Sequence, residues 1–129
     1  MARPGSSVVG WKLDRSCRTE LLDRIPPRYE KVVADHVTLA AKVARDAPLP
    51  APVRARAVGH VDDGRGVQAL VVEVAGSTER PDGGTYHITW SLDKAKGRKA
   101  KESNDVIARL GWTMLDLPMP VRLVPSRWP

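Results

Sequence analysis

His36-Val37-Thr38-Leu39 and His87-Ile88-Thr89-Trp90 are two copies of one pattern, His-apolar-Thr-apolar. In an extended chain successive side chains point to opposite faces. Each copy, read as a strand, presents an imidazole and a hydroxyl on one face and two apolar anchors on the other. The chain has three histidines, and two of them sit in this pattern. The third, His60, is followed by Val61-Asp62 and reads as a surface residue beside a turn. Ordinary strand histidines would account for a single copy; two copies point to a shared role. Two such strands side by side would line a cleft with two imidazoles and two hydroxyls. That set can hold a phosphate and move protons on both sides of it.

The flanking sequence predicts an α+β fold of mostly antiparallel strands with helices packed outside. Residues 1–7, with Pro4, Gly5 and two serines, read as a flexible tail, and 8–129 as a single domain. Asp14 or Ser16 caps a helix running to Ile25, with Leu13, Leu21, Leu22 and Ile25 on its apolar side, and Pro26-Pro27 stops it. Residues 30–43 read as one strand carrying the first motif. Ala47–Pro52 is a stiff proline-rich connector. Residues 53–61 and 67–75 form a hairpin about Asp62-Asp63-Gly64-Arg65-Gly66. Pro81-Asp82-Gly83-Gly84 turns the chain into a strand over 85–92 with the second motif. Ser103–Asp105 caps a short helix that Gly111 ends, and 119–124 forms a last strand.

With 129 residues, 42% of them hydrophobic and 28% charged, the chain has the composition of a soluble globular protein. One cysteine, Cys17, excludes an intrachain disulfide and a cysteine zinc cluster; it reads as an apolar filler. No apolar run follows Arg3, so no signal peptide is expected, nor a membrane span or membrane partner. A cytoplasmic monomer is the expectation. The net charge of +6 favours anionic partners. It is concentrated in residues 93–101, where five positive residues and one negative directly follow the second motif.

A histidine near its ordinary pKa of about 6.5 gives or takes a proton at neutral pH. Two of them across a phosphodiester allow one to deprotonate the attacking hydroxyl or water while the other protonates the departing oxygen. Threonine hydroxyls donate to the nonbridging oxygens where charge grows. No metal or other cofactor is called for: there is no His-x-x-x-His, no cysteine pair and no paired carboxylates at metal spacing. Ser91 is two residues beyond Thr89 and is expected to extend the phosphate site. Lys31, Lys94 and Lys96 are candidates for phosphate contact, and Tyr29 and Trp11 for stacking on a base, although rim or core packing suits both aromatics better. Tyr86 and Trp90 fall on the face of Ile88, opposite the histidines, and read as core.

The motifs resemble those of the 2H phosphoesterase superfamily, named for two His-x-Thr/Ser motifs, and within it the LigT-like RNA 2′,3′-cyclic phosphodiesterases and ligases. The residues that carry the resemblance are His36, Thr38, His87 and Thr89, and the approach Glu30–Asp35 is similar to the family's leading strand. The close match is confined to these segments. The motifs lie 51 positions apart, which makes this a compact version. The resemblance implies two strand lobes around a central cleft, each lobe giving one motif. It implies metal-independent opening of 2′,3′-cyclic phosphates or related 2′-linked phosphodiesters of RNA ends or nucleotides, in RNA processing or repair. His87 would be the base on water and His36 the acid on the 3′-oxygen, with roles exchanged in the ligase direction. Hydrolysis of cyclic oligonucleotide signals is the alternative within the superfamily. A non-catalytic basic RNA-binding module is the alternative outside it.

Overall fold

The turn Asp62–Gly66 organises the larger of two antiparallel sheets in the computed structural model, which describes residues 7–129. Asp62 accepts from the Gly64 amide at 2.9 Å, and Asp63 from the amides of Arg65 (2.8 Å) and Val67 (3.0 Å). These carboxylates replace backbone partners that a tight turn cannot supply. The turn joins β4 (Ala55–Asp62) to β5 (Val67–Val74) as the sequence predicts. β5 is an almost unbroken apolar run, the mark of a strand covered on both faces. Val67, Ala69 and Val71 pack under α2 (Glu102–Leu110) against Val106 and Ile107. Leu70, Val72 and Val74 point into the main core with Ile88, Trp90 and Tyr86.

The five-stranded sheet has the order β2-β6-β5-β4-β7, with β2 at Lys31–Val32, β6 at His87–Leu92 and β7 at Thr113–Val121. The three-stranded sheet has the order β3-β1-β8, with β1 at Ser7–Leu13, β3 at His36–Val43 and β8 at Leu123–Trp128. Trp11, Leu13 and Val37 of this sheet meet the core face of the other, and α1 (Arg15–Arg24) closes the core with Cys17 and Leu21. Asp14 caps α1 by accepting from the Cys17 amide at 3.0 Å, as read from sequence. Among the described residues no helix is long and apolar enough to cross a membrane.

Four expectations are corrected. Residues 30–43 are not one strand: Val33–Asp35 leave the larger sheet after β2 and enter the smaller one at β3, because Ala34 takes a left-handed conformation (φ 41°) that breaks the extended run. The motif strands are therefore not side by side but face each other from different sheets. Residues 7–13 form a strand, so Leu13 belongs to β1 and not to the face of α1; of the tail expected over 1–7, all but Ser7 lies outside the described residues, and Ser7 is buried. The last strand of 119–124 is two strands, β7 and β8. Pro118, Pro120 and Pro125 masked them, yet both are edge strands, where a missing amide donor is tolerated.

Gly10 lies opposite Thr38 in the β1–β3 pair, and a Cβ there would overlap the Val37 carbonyl oxygen. Gly10→Ala must spread these strands. It is expected to cost about 1–3 kcal/mol, the usual range for overpacking. The readouts are a lowered urea midpoint at unchanged slope and His36 NMR signals displaced more than those of His60. An unchanged midpoint would contradict the tight β1–β3 approach.

Candidate active site

His36 opens β3 and His87 opens β6, and the two face one cleft of about 260 Å3 at the junction of the sheets. Thr38 and Thr89 line the same cleft, so all four motif residues meet. Arg80, Asp82, Lys101, Asn104 and Trp128 complete its polar and aromatic wall. A larger groove of about 680 Å3, floored by Val53, Ala55, Val121 and Leu123, lies elsewhere and contains no histidine.

Each imidazole is held from behind. His36 Nδ1 is 3.0 Å from Asp35 Oδ2, and Asp35 also accepts from Lys12 Nζ (2.5 Å) and Arg15 Nη2 (2.9 Å). Burial opposes the charge on Asp35, but these three donors outweigh it and hold the carboxyl well below its ordinary range. A carboxylate accepts only, so His36 carries its proton on Nδ1. His87 Nδ1 donates to the Thr85 carbonyl at 2.8 Å, by the same reasoning. In both rings Nε2 has no hydrogen-bond partner among the described residues. Trp128 fixes the His36 plane, with ring centroids 4.6 Å apart at a 53° tilt, and Lys12 Nζ sits 4.7 Å above the same indole.

The surroundings of the two histidines differ. Burial lowers the pKa of His36, the hydrogen bond and charge of Asp35 work to raise it, and Lys12 adds to the lowering. Burial lowers His87 too; the hydrogen bond to the Thr85 carbonyl opposes this, and the charges of Arg80 and His36 add to the lowering. A full negative charge stands behind His36 and only a carbonyl dipole behind His87. His36 is thus the better carrier of a proton and His87 the better neutral base.

The threonines differ as well. No protein hydrogen bond engages the Thr38 hydroxyl among the described residues. Thr89 Oγ1 donates to the Ala100 carbonyl at 3.1 Å and lies 2.8 Å from Ser103 Oγ. Thr89 is buried and fastens the segment before α2 to β6.

The remaining predicted residues lie outside the cleft. Ser91 is not on the Thr89 face: Trp90 is an extra residue between the pairs Ala69–Thr89 and Gln68–Ser91, a bulge that turns Ser91 to the other side. There it is fully buried, donates to Gln68 Oε1 and accepts from the Tyr29 amide. Tyr29 donates its hydroxyl to Asp62, so it serves the hairpin turn rather than the cleft. Lys31 is exposed on β2, and Lys94 and Lys96 on a single 3-10 turn; none lines the cleft. Trp11 is core, with its indole N–H donated to the Ala51 carbonyl. Tyr86 and Trp90 are core as expected. His60 is half-buried against Gln68 (3.1 Å) rather than on the open surface.

Arg80, Lys101 and Trp128 were not singled out from sequence as site residues. Arg80 stands just before the Pro81–Gly84 turn that delivers His87, which was the one available signal. Trp128 reaches the cleft because β8 pairs with β1, placing it opposite Val8. No protein-family model, curated protein or solved structure matches the chain.

Two outcomes follow from this electrostatics. Asp35→Asn removes the charge that raises His36 and is expected to move the His36 pKa further down while leaving His87 nearly in place, by NMR titration. A rise in the His36 value would refute the assigned dyad. All three histidines bind protons more weakly folded than unfolded. Stability from this source is present above the unfolded value of about 6.5 and is lost as pH falls from there through the lowered folded values. The depressed carboxylates act only below about pH 5, by the same linkage. Urea midpoints are therefore expected to fall between about pH 7.5 and about pH 5, and midpoints that hold constant would contradict the desolvation.

Proposed function

We propose that the chain is a phosphodiesterase that opens 2′,3′-cyclic phosphates, or related 2′-linked phosphodiesters, of RNA ends or nucleotides by acid–base catalysis between His36 and His87. One observation carries this reading. Two imidazoles from different sheets face one small cleft, each with its Nδ1 proton engaged and its Nε2 free. His87 Nε2 takes a proton from water as the water oxygen bonds to phosphorus. The bond from phosphorus to the 3′-oxygen breaks, and protonated His36 gives its Nε2 proton to that oxygen. The product is a 2′-phosphate, His87 ends charged and His36 ends neutral. Thr38 donates to a nonbridging oxygen, where charge grows in the transition state. Acid and base both come from side chains, so the proposed step needs no metal.

The exposed lysines Lys94, Lys96 and Lys99 favour a second reading, a basic module that holds RNA through phosphate contacts. The two readings part on substitution. Hydrolysis of nucleoside 2′,3′-cyclic phosphates in excess EDTA is expected for the wild type, with His36→Ala and His87→Ala each losing roughly 100- to 10,000-fold, the usual worth of a positioned acid or base. Turnover should peak on the acid side of about pH 6.5, because both histidines titrate below their ordinary value. RNA binding that survives both substitutions with no turnover by wild type would favour the module. Histidine variants with full activity would sink the catalytic assignment.

A further inference from the structure

The motif supplies a threonine for each side of a bound phosphate, but the Thr89 hydroxyl has a single proton and gives it to the Ala100 carbonyl. A phosphate held between the histidines then lacks a hydroxyl donor on the His87 side. The guanidinium of Arg80 occupies that wall. Its Nε donates to Asp82 Oδ1 at 2.8 Å and its Nη2 to Asn104 Oδ1 at 3.1 Å. The side chain is only 10% exposed, and its remaining terminal nitrogen, Nη1, has no partner among the described residues. Arg80, Asp82 and Asn104 stand between this cleft and a neighbouring cavity of about 530 Å3, with the guanidinium braced along its Nε–Nη2 edge and its Nη1 end unengaged among the described residues. It stands close enough for its charge to act on His87.

A planar, permanently charged fork matches two phosphate oxygens at once, and bracing removes most of the ordering cost of gripping them. We infer that Arg80 is the phosphate-anchoring residue of the cleft, donating to the nonbridging oxygens of a phosphodiester or phosphomonoester, and that Thr89 is a clasp for the 100–103 segment. The inference rests on the phosphodiesterase reading for its substrate but not for its ligand chemistry. The competing role for Arg80 is structural, tying the Pro81–Gly84 turn to α2 through Asn104.

Inorganic phosphate titrated into the full chain, followed by the imidazole NMR signals of His36 and His87, tests the anchor without turnover. Cyclic-phosphate hydrolysis is measured beside it, with thermal midpoints for each variant. Arg80→Gln is expected to weaken phosphate binding at least tenfold and to lower kcat on the order of 100-fold, as loss of a preorganised donor does. Arg80→Lys should retain part of both, and it decides the matter should Arg80→Gln fail to fold. Arg56→Gln, which removes an exposed cation paired with Glu73, should change neither. Wild-type turnover matched by Arg80→Gln in rate and affinity would overturn the anchor and leave the phosphodiesterase standing. Phosphate binding lost in Arg80→Gln, with no cyclic-phosphate turnover by wild type, would support the anchor and count against the phosphodiesterase. A fall in thermal midpoint with phosphate affinity intact would make Arg80 structural, and a wild-type cleft that binds no phosphate would overturn the anchor outright.

Discussion

Everything in the cleft depends on how three residues carry the chain from one sheet to the other. The amides of Val33 and Ala34 donate to the carbonyls of Trp90 and Thr89, both at 2.9 Å. Arg18 reaches from α1 to the carbonyls of Ala34 (2.9 Å) and Val33 (3.3 Å). Ala34 is fully buried and left-handed, a conformation that costs a residue with a Cβ about 1–2 kcal/mol. The surrounding bonds over-determine it, which is how strain survives in a folded chain. Two residues later comes His36. The first motif is thus tied by backbone hydrogen bonds to the strand of the second, and the relation between the imidazoles is set by main chain rather than by flexible side chains.

That tie explains why a small domain can hold two histidines apart and still aim them at one space. β3 and β6 belong to different sheets, so neither motif distorts the ladder of the other. The sheets meet through a single core in which Trp11, Val37, Ile88 and Trp90 interlock. Trp90 also donates its indole N–H to the Ile25 carbonyl at 2.8 Å, so the residue that makes the β6 bulge is anchored to the end of α1. The bulge keeps His87 and Thr89 on the cleft side and sends Ser91 into the Gln68 network beneath the 26–30 loop. One extra residue therefore separates the part of β6 that lines the cleft from the part that is buried in the fold.

The hairpin at Asp62–Gly66, the α1 cap at Asp14, the core face of Tyr86, Ile88 and Trp90, and the four motif residues were all legible in sequence. Each rests on a local rule: turn chemistry, capping or strand alternation. What escaped was non-local. Alternation cannot reveal that Ala34 turns left-handed, because the cause is the packing of Arg18 and β6 around it. It cannot reveal the Trp90 bulge, which shows only when β6 is paired with β5. The single strand expected over 119–124 fell short at both ends, because Pro118 and Pro125 read as its limits and nothing in the sequence says that both strands are edges. Trp128 and Arg80 reach the cleft through tertiary pairing, so their roles depend on contacts that single-sequence patterns do not encode.

Net charge is a further case where placement outranks composition. The basic segment 93–101 reads as one cationic patch, yet Arg98 is committed to Asp63 (2.7 Å), Glu102 (3.1 Å) and the Arg65 carbonyl (2.7 Å), and it is nearly covered. It locks this segment to the hairpin turn and is not available to a polyanion. Lys94, Lys96 and Lys99 are exposed on the outer side, while Lys101 alone among these cations lines the cleft. Fields of exposed cations fade over about 8 Å at physiological salt. On an approaching anion the outer lysines would therefore act mainly at encounter, and their effect would decline as salt rises. Arg80, by contrast, is nearly covered at the cleft wall, where screening by salt is weaker, whereas Lys101 is exposed at the cleft rim. On the reading proposed above, the basic segment and the cleft would form two charge systems in sequence, one to gather an anion and one to hold it.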